Sequence, residues 1–173
     1  MMPIEHLRII ENITPLLPKN LNRGTFLCLF GTDKIPPHLG LIVNGKYYST
    51  SARGSRLGEN VKLILRRVNQ SSIPTLFIKL DISEDIKKLV LAFENYPKLK
   101  ANQTCLLPIK DYIKSIDEDV ASANFVFELI PLLHNRNLIS DSFSLYMSAS
   151  SFELKVYSKE DIVNRIVKLQ ETC

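Results

Sequence analysis

The chain has no tryptophan, and only six glycines, three histidines and three cysteines in 173 residues. The cysteines, Cys28, Cys105 and Cys173, are far apart and include no C-x-x-C pair. That spacing argues against a disulfide framework or a structural zinc site and fits reduced thiols. His6, His38 and His134 are equally scattered, so neither a metal nor a cofactor is expected. No apolar run is long enough to cross a bilayer, and "MMPIEHLRII" lacks the core of a secretory signal. A soluble cytoplasmic protein is the expectation. The net charge of +4 falls short of the dense basic stripe of nucleic-acid binders. No repeat or low-complexity tract is visible.

What remains is ordinary globular composition, 45% hydrophobic and 23% charged. At this length it predicts one domain, residues 1–173, with a sizeable core. "IEHLRIIENI" (4–13) has helical spacing, and "GTFLCLFG" (24–31) reads as a buried strand with Cys28 as a small hydrophobe in its middle. The strongest local pattern is "HLGLIV-NG-KYYSTS". Asn44-Gly45 is the dipeptide favoured where both turn residues need positive φ, so these runs form a two-residue hairpin. Pro36 and Pro37 hold the approach extended. The register places Val43 opposite Lys46 and Leu41 opposite Tyr48. His38, Gly40, Ile42, Tyr47, Ser49 and Ser51 then share one face.

"SRLGENVKLILRRVNQ" (55–70) is predicted helical throughout, with Arg66 and Arg67 facing out. "SIPTLFIKLDI" reads as a strand, followed by a helix capped by Ser83. Pro108 belongs in a first helical turn, which puts Cys105 at the N-terminus of the helix carrying Ile109, Tyr112 and Ile113. Beyond it the pattern reads helix (124–139), two strands ("SFSLYM", "SFELKVY") and a closing helix capped by Ser158, an αββα extension over about 117–173.

A helix N-terminus is where a thiol becomes a thiolate, because unpaired amides favour the anion, and a nearby histidine helps. Such a nucleophile also needs an oriented base and donors for an oxyanion. Cys105 is the candidate nucleophile and His38 the base. The same-face candidates to orient the histidine are Ser49, Ser51 and Tyr47, with the two serines put forward, and Asn102 and Gln103 are candidate oxyanion donors, beside the Cys105 amide itself.

The order of a histidine-opened strand "HLGLIV", a hairpin partner, a helix, a strand-helix pair and the cysteine-opened helix "NQTCLLPIKDYI" resembles the circularly permuted branch of the NlpC-type papain-like superfamily. That branch includes lecithin retinol acyltransferase-like enzymes, desumoylating isopeptidases and YiiX-like proteins. The resemblance covers roughly residues 24–116. It implies an α+β permuted papain-like fold, a small antiparallel sheet packed on the helix opened by the cysteine. It also implies His38–Cys105 acyl chemistry on an amide or ester. The first reading is a thiol hydrolase, a peptidase, isopeptidase or amidase, acting on a protein or peptide substrate, and acyl transfer is the same chemistry with another acceptor. The family's adjacent Asn-Cys is spread here over Asn102 to Cys105. The alternative is a non-catalytic interaction module using a basic face of Arg53, Arg56, Arg66 and Arg67 on an acidic partner.

Overall fold

The computed structural model describes residues 8–171. His6 and Cys173 lie outside them. In chain order the strands and helices begin with β1 (Ile9–Ile10), β2 (Thr14–Pro15), β3 (Thr25–Phe30), β4 (His38–Val43), β5 (Lys46–Ser51) and β6 (Gly54–Asn60). They continue with α1 (Val61–Ser71), β7 (Thr75–Leu80), α2 (Ile86–Glu94), α3 (Leu106–Lys114), α4 (Val126–Asn135), β8 (Ile139–Leu145), β9 (Phe152–Glu153) and α5 (Lys159–Glu171). The fold is α+β. Its main sheet has the order β2-β8-β7-β3-β4-β5-β6 and is antiparallel except for the β2–β8 pair. β1 and β9 form a separate antiparallel pair.

The predicted hairpin is present. Asn44 and Gly45 have φ of 48° and 76°, and Leu41, Ile42 and Val43 face Tyr48, Tyr47 and Lys46. Alternation then divides the core. Phe26, Cys28, Ile42, Tyr47 and Phe77 bury against Val61, Ile64 and Leu65 of α1 on one face. Leu27, Leu29, Leu39, Leu41 and Ile78 bury against α2 to α5 on the other, through Phe93, Ile109, Leu129 and Ile162 among others. Each fully buried aliphatic or aromatic side chain is worth roughly 1.5–3 kcal/mol in burial. Both faces of the central strands are covered, so β3 is apolar along nearly its whole length rather than alternating.

Three local expectations are corrected. The helix expected over 4–13 is replaced, within the described residues, by β1 and β2, with Asn12 between them at φ 56°. A left-handed residue ends any helix, and Ile10 and Ile13 reach the core from extended chain instead. The helix expected from 55 begins only at Val61. Residues 54–60 form edge strand β6 paired with β5, because Gly58 takes φ 74° and Asn60 caps α1 by accepting from the Lys62 N–H at 3.0 Å. The cap of α2 is Asp85, accepting from the Lys88 N–H at 3.1 Å, and not Ser83.

The αββα segment is present in that order but is no appendage. Strand β8 pairs with β7 inside the main sheet, and α5 packs on the core through Ile162 and Ile166. The second predicted strand of that segment shortens to β9. The closing helix has the expected cap: Ser158 Oγ accepts from the Asp161 N–H at 3.2 Å, and Asp161 returns a carboxylate to the Ser158 N–H at 2.7 Å. No helix among the described residues is long and apolar enough to cross a membrane.

Candidate active site

At the open end of the β4–β5 hairpin lies a cavity of about 360 Å³ that both His38 and Cys105 line. Each reaches it for a separate local reason. His38 opens β4, directly opposite Phe30 of β3, and its ring lies on the Phe30 ring with centroids 6.2 Å apart. Cys105 is the residue immediately before α3, whose first turn holds Pro108 as expected. The loop that delivers it is tied to the hairpin by the Leu99 N–H, which donates to the Ser51 carbonyl at 3.1 Å. Helix α3 is then seated by Tyr112, whose hydroxyl accepts from the Asp85 N–H at 3.2 Å, and by Asp111, which accepts from the Tyr96 hydroxyl at 2.7 Å.

The partner of His38 is neither serine proposed for the role. Ser51 is engaged in its own turn, with its Oγ accepting from the Arg53 N–H at 3.1 Å and donating to the Gly54 carbonyl at 3.3 Å. The contact to His38 Nε2 comes from Tyr47 Oη at 3.5 Å. That is long for a hydrogen bond, so the contact is weak, and the Phe30 ring also packs against the imidazole. Tyr47 stands opposite Ile42, two residues along β4 from Gly40 and four from His38. Its ring covers that span by lying over Gly40, where an added Cβ would fall 2.3 Å from Tyr47 Cε2. Only glycine fits there. Ser49, Tyr47 and His38 line the same cavity, and the Ser49 side chain favours the Tyr47 phenolate.

The charges follow from this burial. Burial drives the His38 pKa down to about 4, and the guanidiniums of Arg56 and Arg165 push the same way. The imidazole is therefore neutral near pH 7. Burial raises the Tyr47 phenol, which stays protonated. The thiol of Cys105 departs from the expected depression. Burial raises its pKa and outweighs the backbone N–H groups of Leu39 and of Cys105 itself, which favour the thiolate. Thiol and imidazole are thus both neutral at rest. Cys28 is buried in the core as expected, its thiol raised by burial and its Sγ 3.7 Å from the Phe26 carbonyl.

The oxyanion candidates are placed unequally. Asn102 is exposed, and Gln103 Oε1 accepts from the Lys100 N–H at 3.0 Å. Neither residue lines the cavity, whereas Thr104 and Asn124 do. Asn124 was not singled out in the sequence, since a lone asparagine in a loop carries no pattern. The basic residues also separate. Arg53, Arg56 and Arg67 line the cavity, and Arg66 is exposed on α1. Arg56 and Arg67 share Glu59, at 2.9 and 2.8 Å, and hold its carboxyl below the usual range. Arg165 and Tyr157 complete the wall from the C-terminal segment, with the Tyr157 hydroxyl accepting from the Val126 N–H at 3.4 Å. Comparison with family models, with curated proteins and with solved structures finds no match for this chain.

Proposed function

We propose that the protein is a thiol hydrolase of the permuted papain-like type, cleaving an amide or ester bond through an acyl-enzyme on Cys105. One observation carries the reading: Cys105 and His38 line one cavity, and the Cys105 sulfur lies where the N–H of Leu39, the residue after His38, favours its thiolate. A cavity of about 360 Å³ suits a small acyl group.

Because both groups are neutral at rest, the proton moves during attack and not before it. With the imidazole proton on Nε2, facing Tyr47, Nδ1 is the basic atom. As the sulfur bonds to the substrate carbonyl carbon, the thiol proton passes to Nδ1. The N–H of Cys105 at the start of α3 faces the developing oxyanion. Collapse of the tetrahedral adduct breaks the C–N or C–O bond, and the leaving amine or alcohol takes the proton from His38. Water, deprotonated by the same histidine, then hydrolyses the thioester and releases a carboxylic acid and the thiol. Tyr47 is a positioning residue in this scheme, with Ser49 behind it.

The test is acyl capture. Incubation with p-nitrophenyl valerate should add one valeryl group to Cys105, as read by intact mass and peptide mapping. The adduct should vanish in Cys105→Ala and persist in Cys28→Ala. Acylation of Cys28, or an equal adduct in Cys105→Ala, would overturn the reading.

A further inference from the structure

Four arginines, Arg53, Arg56, Arg67 and Arg165, line the cavity, and no aspartate or glutamate lines it among the described residues. Glu59 answers Arg56 and Arg67 from β6. Arg165 is different. It projects from α5, is half-buried, and forms no ion pair among the described residues. A half-buried cation facing an apolar cavity without a carboxylate leaves a charge that its surroundings do not balance. The wall around it is apolar, with Ile162 one turn before it and Ile166 next to it on α5, and Ile64 and Val68 contributed by α1. We infer that the cavity takes a carboxylate-bearing acyl substrate, whose carboxylate pairs with Arg165 while its short apolar chain lies between α1 and α5.

One unpaired guanidinium offers one planar fork, which matches a single carboxylate. A phosphate dianion would call on Arg56 and Arg67, and Glu59 already occupies both. The pairing has a second consequence for the site. Arg165 and Arg56 are the two charges that oppose an imidazolium at His38. A bound carboxylate offsets that field where the proton must arrive. The substrate thus helps to activate the base that attacks it. The inference rests on the Cys105–His38 reading for where the substrate reacts, though not for what its carboxylate meets.

The test compares two esters of equal length, mono-p-nitrophenyl glutarate and p-nitrophenyl valerate, which differ in a terminal carboxylate against a methyl. Relative to the same pair reacting with N-acetylcysteine, Cys105 should favour the glutarate ester by about tenfold or more, the scale of one charge-assisted hydrogen bond. The preference should fall to the N-acetylcysteine value in Arg165→Gln and be kept only in part in Arg165→Lys, which retains the charge without the fork. A second arm needs no thiol. Calorimetry on the Cys105→Ala protein should show monomethyl glutarate binding about tenfold more weakly after Arg165→Gln, with dimethyl glutarate and inorganic phosphate weaker than monomethyl glutarate in the parent. Equal reactivity of the two esters, an unchanged preference in Arg165→Gln, or tighter binding of dimethyl glutarate or phosphate overturns the inference. If neither ester acylates the protein, the hydrolase reading falls, and the binding arm still decides this one.

Discussion

The two ends of the β4–β5 hairpin are built on different physics. At the turn end the polar groups find partners, some of them far along the chain. Asn44 and Gly45 take the positive φ values they tolerate, the Asn44 N–H donates to the Gly24 carbonyl at 2.9 Å, and Asn44 Oδ1 accepts from the Gly24 N–H at 2.9 Å. The Asn44 side-chain amide also donates to Glu84, and the Val61 N–H closes on Gly45 at 3.0 Å. At the open end a buried neutral imidazole meets a phenol at 3.5 Å beside a cavity, with arginines from β6 and α5 raising the cost of its charge. The first end is satisfied, and the second is held short of satisfaction. Unspent electrostatics belongs where a ligand is to bind, because a fully paired site has nothing left to offer one.

Substitutions at the two ends should separate these roles, most steeply at the base. His38→Asn should slow acylation of Cys105 by about 10²–10⁴-fold, the usual worth of a general base. A rate within a few-fold of the parent would leave the open end without its base. Acid titration should register the same residue next. Its folded pKa of about 4 lies below the ordinary 6.5, so the unfolded chain binds the proton first as pH falls. The stability from neutral His38 is therefore complete above pH 6.5 and is lost on the way down to about 4, by up to about 1.4 kcal/mol per pH unit. Urea melts of the parent and His38→Asn should diverge in slope across that window and run parallel above it.

The hairpin's own glycines give a matched pair. Gly40→Ala drives a methyl into the Tyr47 ring, a conflict worth roughly 1–3 kcal/mol, and should also cut acylation by displacing the residue that orients His38. Gly45→Ala meets nothing closer than 3.8 Å but must hold φ 76°, a cost of roughly 1–2 kcal/mol with acylation untouched. Thermal melts beside acyl-capture rates distinguish the two, and equal losses of rate would erase the contrast. The smallest effect is expected at Arg66, exposed on α1. Arg66→Glu should shift stability by no more than about 0.5 kcal/mol in a urea melt. A larger loss would mean that this side chain supports the fold.

Much of the turn end was legible in the sequence, and less of the open one. The Asn-Gly dipeptide, the buried strand around Cys28 and the proline at the start of α3 each declare themselves within a few residues, because φ preferences and hydrogen-bond losses act locally. The set of side chains sharing a face with His38 also follows from alternation alone. Within that set, spacing could not choose between Ser49, Ser51 and Tyr47. Reach decides, since a serine is too short to cross Gly40 and a tyrosine is not. The strand at 54–60 is hidden in the sequence because it runs straight into the helical pattern of α1, while pairing with β5 decides its conformation.

The hairpin and its register, the burial of Cys28, the placing of Cys105 before a helix and the Ser158 cap follow from the order of residues along the chain. All depend on backbone geometry and periodicity over at most two turns or one strand pair. Tertiary structure alone decided that β8 enters the main sheet, that α5 brings Arg165 to the wall His38 lines, and that Cys105 and His38 rest uncharged. Those outcomes depend on desolvation and on segments brought together from far along the chain, Arg165 and His38 from more than a hundred residues apart, and a pKa or a cavity wall is a sum over everything packed around it.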